Sequence, residues 1–196
     1  MLGGTFDPIH RGHLAIAEQV RVELDAAEVW LVPTGQPPHR GPASASTEDR
    51  LDMCRAAAAE HPGMRVLDLE ARRAGPSYTA DTLAELEAGR PDAEIWLLLG
   101  ADAAREFPAW HRREALERQA RFVLVNRTGA DGLDAGEAAG LGFDPTRTRI
   151  VEVVSPQISA TEVRRRVQLG DGLEELVPPA VAAIILERGL YRDEVG

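Results

Sequence analysis

The 196-residue chain contains no lysine: each of its 22 basic residues is arginine. That excludes a Walker-type phosphate loop, which depends on a lysine. Any phosphate must then be met by Arg, His, backbone N–H groups or a metal ion. Cysteine is nearly missing as well. Cys54 stands alone, which excludes an internal disulfide and reads as a reduced, buried thiol in a cytoplasmic chain. No apolar run approaches the ~20 residues that span a bilayer. The first residues lack the basic-then-apolar pattern of a secretory signal. No membrane partner is expected. Positive charge is scarce, with 22 basic against 32 acidic residues and a net charge of −10. A nucleic-acid surface needs clustered positive charge, so a broad one is excluded. A small anionic substrate needs only a local pocket of Arg and His.

What the chain does have is concentrated at its start, in Met1-Leu2-Gly3-Gly4-Thr5-Phe6-Asp7-Pro8-Ile9-His10-Arg11-Gly12-His13-Leu14. The double glycine lets the backbone bend tightly and a ligand approach it closely. Pro8 fixes a loop, and a helix is expected to begin near Arg11 to His13. Its free N–H groups and positive dipole end form an anion site. The His10 and His13 imidazoles can donate to phosphate oxygens. A metal-binding reading of the pair is weaker, since no Cys, Asp or Glu accompanies it at metal-ligand spacing. Either feature alone reads equally well as a plain turn or a surface pair. Only Met1 and Leu2 precede the glycines, so the first strand is stubby or its start misassigned.

Apolar patterning then alternates strand and helix. Helix periodicity covers Leu14 to Leu24, and the apolar run Glu28 to Pro33 reads as a buried parallel strand. A Gly/Pro/Ser loop, Thr34 to Ser46, carries His39 and Arg40. Thr47 can cap a helix to about Glu60. A strand over Arg65 to Leu69, a turn at Gly75 to Tyr78 and a helix from Thr79 to Ala88 follow. Glu94 to Gly100 is the clearest buried strand, and it delivers Asp102 to a strand carboxyl end, where open α/β sheets bind ligands. Asp102 reads equally as a helix cap. Phe107-Pro108-Ala109-Trp110 lies between two short helical patterns, where a tryptophan often plugs the core. Strands are expected at Arg121 to Val125 and Ile150 to Val154, with a surface excursion at Gly129 to Thr148 between them. Ser159 and Thr161 open a helix and offer a second anion site, although an isolated pair would be an ordinary cap. An apolar helix, Ala180 to Leu186, ends the chain and is expected to cover the sheet. The alternation gives an α/β fold, a Rossmann-like doubly wound parallel sheet with helices on both faces. One domain over residues 1–196 is expected, its part from about 156 helical.

The run GGTFDPIHRGHL resembles the H-x-G-H signature of the nucleotidylyltransferase superfamily. Ile158-Ser159-Ala160-Thr161-Glu162-Val163-Arg164 resembles its second signature, I-S-x-T-x-x-R. Between them, Pro37-Pro38-His39-Arg40, Pro76-Ser77-Tyr78-Thr79-Ala80, Gly100-Ala101-Asp102 and Phe107-Pro108-Ala109-Trp110 resemble the bacterial nicotinate-nucleotide adenylyltransferase branch. The resemblance spans nearly the whole chain. It implies adenylyl transfer from ATP to nicotinate mononucleotide, giving nicotinate adenine dinucleotide and pyrophosphate in NAD biosynthesis. It further implies that His10 and His13 meet the ATP phosphates and that Gly3, Gly4, Thr5 and Phe6 shape the nucleotide turn. Ser159, Thr161 and Arg164 would hold the outer phosphates. Mg²⁺ would ride on the phosphates, without ligands from protein side chains. The mononucleotide would be met by His39, Arg40, Thr79, Asp102 (at a ribose) and Trp110 (under the pyridine ring). A homo-oligomer is left open. Two rivals stand beside this reading. Phosphopantetheine adenylyltransferase resembles the chain at both ends, but typically has Thr or Asn in place of His10 and uses a lysine. A catalytically silent nucleotide-binding module is the other.

Overall fold

The computed structural model describes residues 1–36, 42–129 and 131–192. Three parallel strands, β1 (Leu2–Gly4), β2 (Val29–Pro33) and β3 (Met64–Val66), form one sheet in that order. A second parallel sheet comprises β4 (Trp96–Gly100), β5 (Arg121–Arg127) and β6 (Thr148–Val153). Met1 joins the two. Its amino group donates to Trp96 O at 2.6 Å, and Leu98 N–H donates to Met1 O at 3.0 Å. Those are the two bonds of a parallel bridge centred on Met1 and Leu97. The strands therefore run β3-β2-β1-β4-β5-β6, and the direction of winding reverses at the β1–β4 seam. Ligands of open α/β sheets bind at that reversal, beyond the strands' carboxyl ends.

Strands β2, β4 and β5 are apolar on both faces over their buried lengths, as parallel strands covered on both sides must be. Successive side chains sort by parity. Trp30, Val32, Leu97, Leu99, Phe122 and Leu124 enter one buried cluster. Val29, Leu31, Leu98, Val123 and Val125 enter clusters on the opposite face. Helix α1 (Arg11–Glu23) covers the second face with Leu14, Ala17 and Val20. Beside it lies α2 (Thr47–Ala59), with Met53, Cys54 and Ala57 buried. After a short α3 (Leu69–Arg72), the first face is covered by α4 (Thr79–Gly89), α5 (Ala101–Glu106) and α6 (Arg113–Gln119), through Leu83, Leu86, Ala104 and Leu116.

Several local expectations change. Ser46, not Thr47, caps α2: its Oγ accepts from Asp49 N–H at 3.1 Å. The strand expected over Arg65 to Leu69 stops at Val66, and Leu69 opens α3. The excursion after β5 contains a one-turn helix, α7 (Ala135–Gly140), capped by Asp134. After α8 (Ala160–Leu169), the last helix, α9 (Pro179–Glu187), packs against α2, its Val181 and Ile185 entering the cluster on that face of the sheet. The core plug between α5 and α6 is Phe107, fully buried, with ring centroids 4.7 Å from Phe143 and 5.1 Å from Phe122. Truncating it to alanine should cost about 3–5 kcal/mol. Trp110, expected as either plug or platform, is only half-buried.

Candidate active site

The turn from β1 into α1 is pinned from several sides. Arg50 lies on α2 and is 1% exposed. Its Nη1 donates to Thr5 O and Thr34 O, each at 2.7 Å. A guanidinium can serve several carbonyls at once because its donors form a rigid fork. Phe6 takes a left-handed backbone, φ 49°, and is buried against His13, edge to face at 5.1 Å. A bulky residue in that region is strained, and such strain gathers at functional turns. Arg11 N–H donates to Leu176 O at 2.9 Å and fixes the first residue of α1.

His10 caps α1 with extended backbone, and His13 sits one turn in. Their rings stack at 3.7 Å between centroids. His10 backbone N–H donates to His13 Nδ1 at 3.3 Å. An N–H can only donate, so His13 Nδ1 is the acceptor and its proton resides on Nε2 when the ring is neutral. Both rings are held neutral at pH 7. Burial, then the Arg127 charge, lowers His10 from 6.5 to about 4. Burial, then His10 and Arg127, holds His13 well below its usual range. His10 Nδ1 is buried without a hydrogen-bond partner among the described residues. A Cβ on residue 12 would stand 3.1 Å from that nitrogen, a tight contact that the His10 ring would have to shift to accommodate.

Arg127 was invisible to sequence reasoning. It ends β5 at the carboxyl edge and is exposed. The next residue is tied to the segment after β6, since Thr128 N–H donates to Val153 O at 3.0 Å and Gln157 Nε2 donates to Thr128 O at 3.3 Å. Pro156 of that segment lies against Gly12. The only sequence signal was a basic residue closing an apolar strand.

The second signature folds against the first. Ser159 caps α8, its Oγ accepting from Glu162 N–H at 3.1 Å. Ser159 and Thr161 are exposed at that helix start. Arg164 Nη1 donates to Asp7 O at 2.8 Å and Nη2 to Thr161 Oγ1 at 3.4 Å, which bonds the two signatures directly.

On the other face of the seam, a cavity of about 290 Å³ opens beyond the β1–β4 bridge. Gly3, Gly4 and Thr5 line it, with Thr34, Gly100, Tyr78, Thr79, Trp110 and His111. A Cβ on Gly3 or on Gly100 would meet nothing within 4 Å, so these glycines leave the cavity floor open. Thr79 is the first residue of α4, and the Thr79 and Ala80 amides have no intrahelical acceptor, as in any first turn. His111 packs against Tyr78 with the rings tilted by 36° and 4.3 Å between centroids, and was not singled out in the sequence.

The structure thus gathers Gly3, Gly4, Thr5, Thr79 and Trp110 at one cavity. His10, His13, Ser159, Thr161 and Arg164 gather around the adjoining helix starts. Asp102 joins neither group. Its side chain is 98% exposed and faces Arg105 at 4.0 Å, while Gly100 occupies the cap position of α5. Asp102 therefore does not cap, because it lies inside the first turn. His39 and Arg40 lie outside the described residues. No group of three or more His, Cys, Asp or Glu placed to hold a metal ion occurs among the described residues. Likewise, no described helix is long and apolar enough to cross a membrane.

Residues 1–166 match the model of the cytidylyltransferase-like family. A protein of Streptomyces coelicolor named a probable nicotinate-nucleotide adenylyltransferase is 42% identical, covering 98% of this chain and 100% of its own. One of the same name from Synechococcus sp. (strain JA-3-3Ab) is 39% identical, covering 98% and 94%. The fold matches a Plasmodium falciparum nicotinic acid mononucleotide adenylyltransferase complexed with NaAD, with TM-score 0.78 over 97% of this chain and 95% of that one, at 18% identity. Full-length relatedness on this scale makes the chain a member of the nicotinate-nucleotide adenylyltransferase family.

Proposed function

We propose that the chain transfers the adenylyl group of ATP to nicotinate mononucleotide. A phosphate oxygen of the mononucleotide forms a bond to the α-phosphorus. The bond from that phosphorus to the bridging oxygen of the β-phosphate breaks, and pyrophosphate leaves with the electron pair. The product is nicotinate adenine dinucleotide. The attacking phosphate is largely dianionic near pH 7, so no strong base is needed. The protein aligns two anions and stabilises the charge that builds between them.

The observation that carries this reading is the cavity that Gly3, Thr79 and Trp110 line at the β1–β4 seam, beside the neutral His10–His13 pair. A neutral His13 with its proton on Nε2 donates from that nitrogen without first being protonated. Arg127, Ser159, Thr161 and Arg164 add donors around the triphosphate. Trp110 offers a face to a pyridine ring. The start of α4 favours a carboxylate over a carboxamide, since its positive dipole end and free amides border the cavity. Mg²⁺ would arrive on the ATP phosphates and neutralise part of their charge; it keeps few protein ligands in such sites. The family resemblance alone adds Asp102 at a ribose, where its exposed side chain stands apart from both groups, and His39 with Arg40 at the mononucleotide phosphate. Cys54 is fully buried, and burial raises its thiol pKa, which fits a reducing cytoplasm.

Pyrophosphate release tests the proposal, with ATP and Mg²⁺ and each acceptor offered separately. Release with nicotinate mononucleotide, and much less with nicotinamide mononucleotide, is the expected result. Release with 4′-phosphopantetheine would move the chain to its nearest rival. Silence with all three would leave a nucleotide-binding module.

A further inference from the structure

Asp7 sits within the phosphate turn, yet its carboxylate has no part in the chemistry above. It is 7% exposed, and a buried carboxylate must find donors. Ser44 N–H donates to Oδ2 at 2.7 Å, Ala45 N–H to Oδ1 at 3.1 Å, and the Tyr191 hydroxyl to Oδ1 at 2.9 Å. The Asp7 carbonyl accepts from Arg164, as described. One residue of the turn is thereby bonded to the loop before α2, to α8 and to the segment after α9.

Tyr191 is held for this contact at a cost. Its backbone is left-handed, φ 64°, and the side chain is 6% exposed. Burial and the Asp7 charge raise the phenol pKa, so it remains a neutral donor across the working range. Ser44 and Ala45 follow Arg40 by four and five positions in the sequence. The same turn runs on through Pro8 and Ile9 into His10.

We propose that Asp7 and Tyr191 are a pair of positioning residues. The Tyr191 hydroxyl fixes the Asp7 carboxylate, which locks the phosphate turn to the Ser44–Ala45 backbone and sets His10 and His13 in register. The inference rests on the adenylyl-transfer reading for its kinetic consequence, but not for its structural one.

Tyr191→Phe removes the hydroxyl and keeps the ring. With ATP and nicotinate mononucleotide, kcat per folded molecule should fall about tenfold, the scale of a small misalignment. Each KM should stay within about threefold, and the melting temperature should fall by only a few degrees. Asp7→Asn should lower kcat at least as far, and adding Tyr191→Phe to it should cost little more, because both act through one bond. Amide hydrogen exchange without substrate should quicken at residues 3–13 and 42–46 in each variant. A variant that melts earlier but turns over normally would make the pair merely structural and overturn the proposal. Fully additive losses, or unchanged exchange at both stretches, would overturn it as well. The exchange measurement decides even if wild-type protein releases no pyrophosphate, so failure of the pair and failure of the functional reading remain distinct.

Discussion

The β1–β4 seam opens into a cavity at each end, and α4 or its cap borders both. At the carboxyl end α1 and α4 present their first turns, that of α4 lining the cavity through Thr79 and that of α1, with His10 and His13, standing outside its lining. At the amino end they present their last residues, Leu24 and Asp25 after α1 and Arg90 after α4. That second cavity, about 390 Å³, is the larger and is walled by Trp30 and Trp96. Its polar groups are nonetheless consumed. The Trp96 indole N–H donates to Glu94 at 2.9 Å, Arg90 lies 5.0 Å over the Trp30 ring and pairs with Glu28 at 3.3 Å, and Arg21 pairs with Glu18 at 2.7 Å. At the carboxyl end, by contrast, His10 Nδ1 is buried without a partner among the described residues. Size does not mark the site. Helix polarity and unspent hydrogen-bonding capacity do, because free amides and the positive dipole end draw anions while carbonyl ends repel them.

The comparison can be broken at His13. His13→Ala should lower turnover by roughly two decades or more, measured as kcat at saturating substrates; a near-normal rate would remove the histidine pair from the chemistry. Gly3→Val probes the space itself. Its Cβ would meet nothing within 4 Å and its branches would occupy the carboxyl-end cavity, so kcat/KM for the mononucleotide should drop about tenfold or more while the melting temperature holds. Trp110→Ala should raise the KM for the mononucleotide by about fivefold, and that for ATP less; equal effects would make the tryptophan a packing residue.

A smaller effect is expected from Arg127→Ala, and it has a sign. The Arg127 charge lowers both histidines, so removing it lets them rise and moves the acid limb of kcat/KM to higher pH. Arg127→Lys should leave that limb in place. The same depression has a stability counterpart. With His10 at about 4 in the folded chain against 6.5 when unfolded, its contribution is complete above pH 6.5 and is lost as pH falls toward 4. Thermal melts across that window should show the decline. Smallest of all should be Ala93→Leu in the amino-end cavity, with activity within about twofold of wild type.

Strands and helices were legible wherever pattern and length agreed. Glu94 to Gly100 and Glu28 to Pro33 are apolar runs of strand length, and they emerge as β4 and β2 within two residues. Elements of four and six residues, α3 and α7, escaped because a single turn carries no period. The cap at Ser46 was misplaced by one position, since Ser and Thr adjoin there and both accept from backbone amides. At the site, residues close in sequence were readable: the glycines, both histidines, Ser159 and Thr161. Groups brought in by topology were not. Arg127 arrives from β5, and Tyr191 reaches Asp7 across 184 positions. Nothing in local spacing announces either.

Arg50 has an effect that reaches past its bonds. The protein is net −10, and so far from neutrality its mean field repels a nucleoside triphosphate. Carbonyl oxygens at strand ends would add to that repulsion at the mouth of the cleft. The buried guanidinium covers those of Thr5, Thr34 and Gly35 and leaves its charge behind them. The negative ends of those carbonyls are thereby offset at the approach to the β1–β4 seam. Substrate capture should accordingly quicken as moderate salt screens the distant acidic residues and leaves the short-range field of Arg50 largely intact.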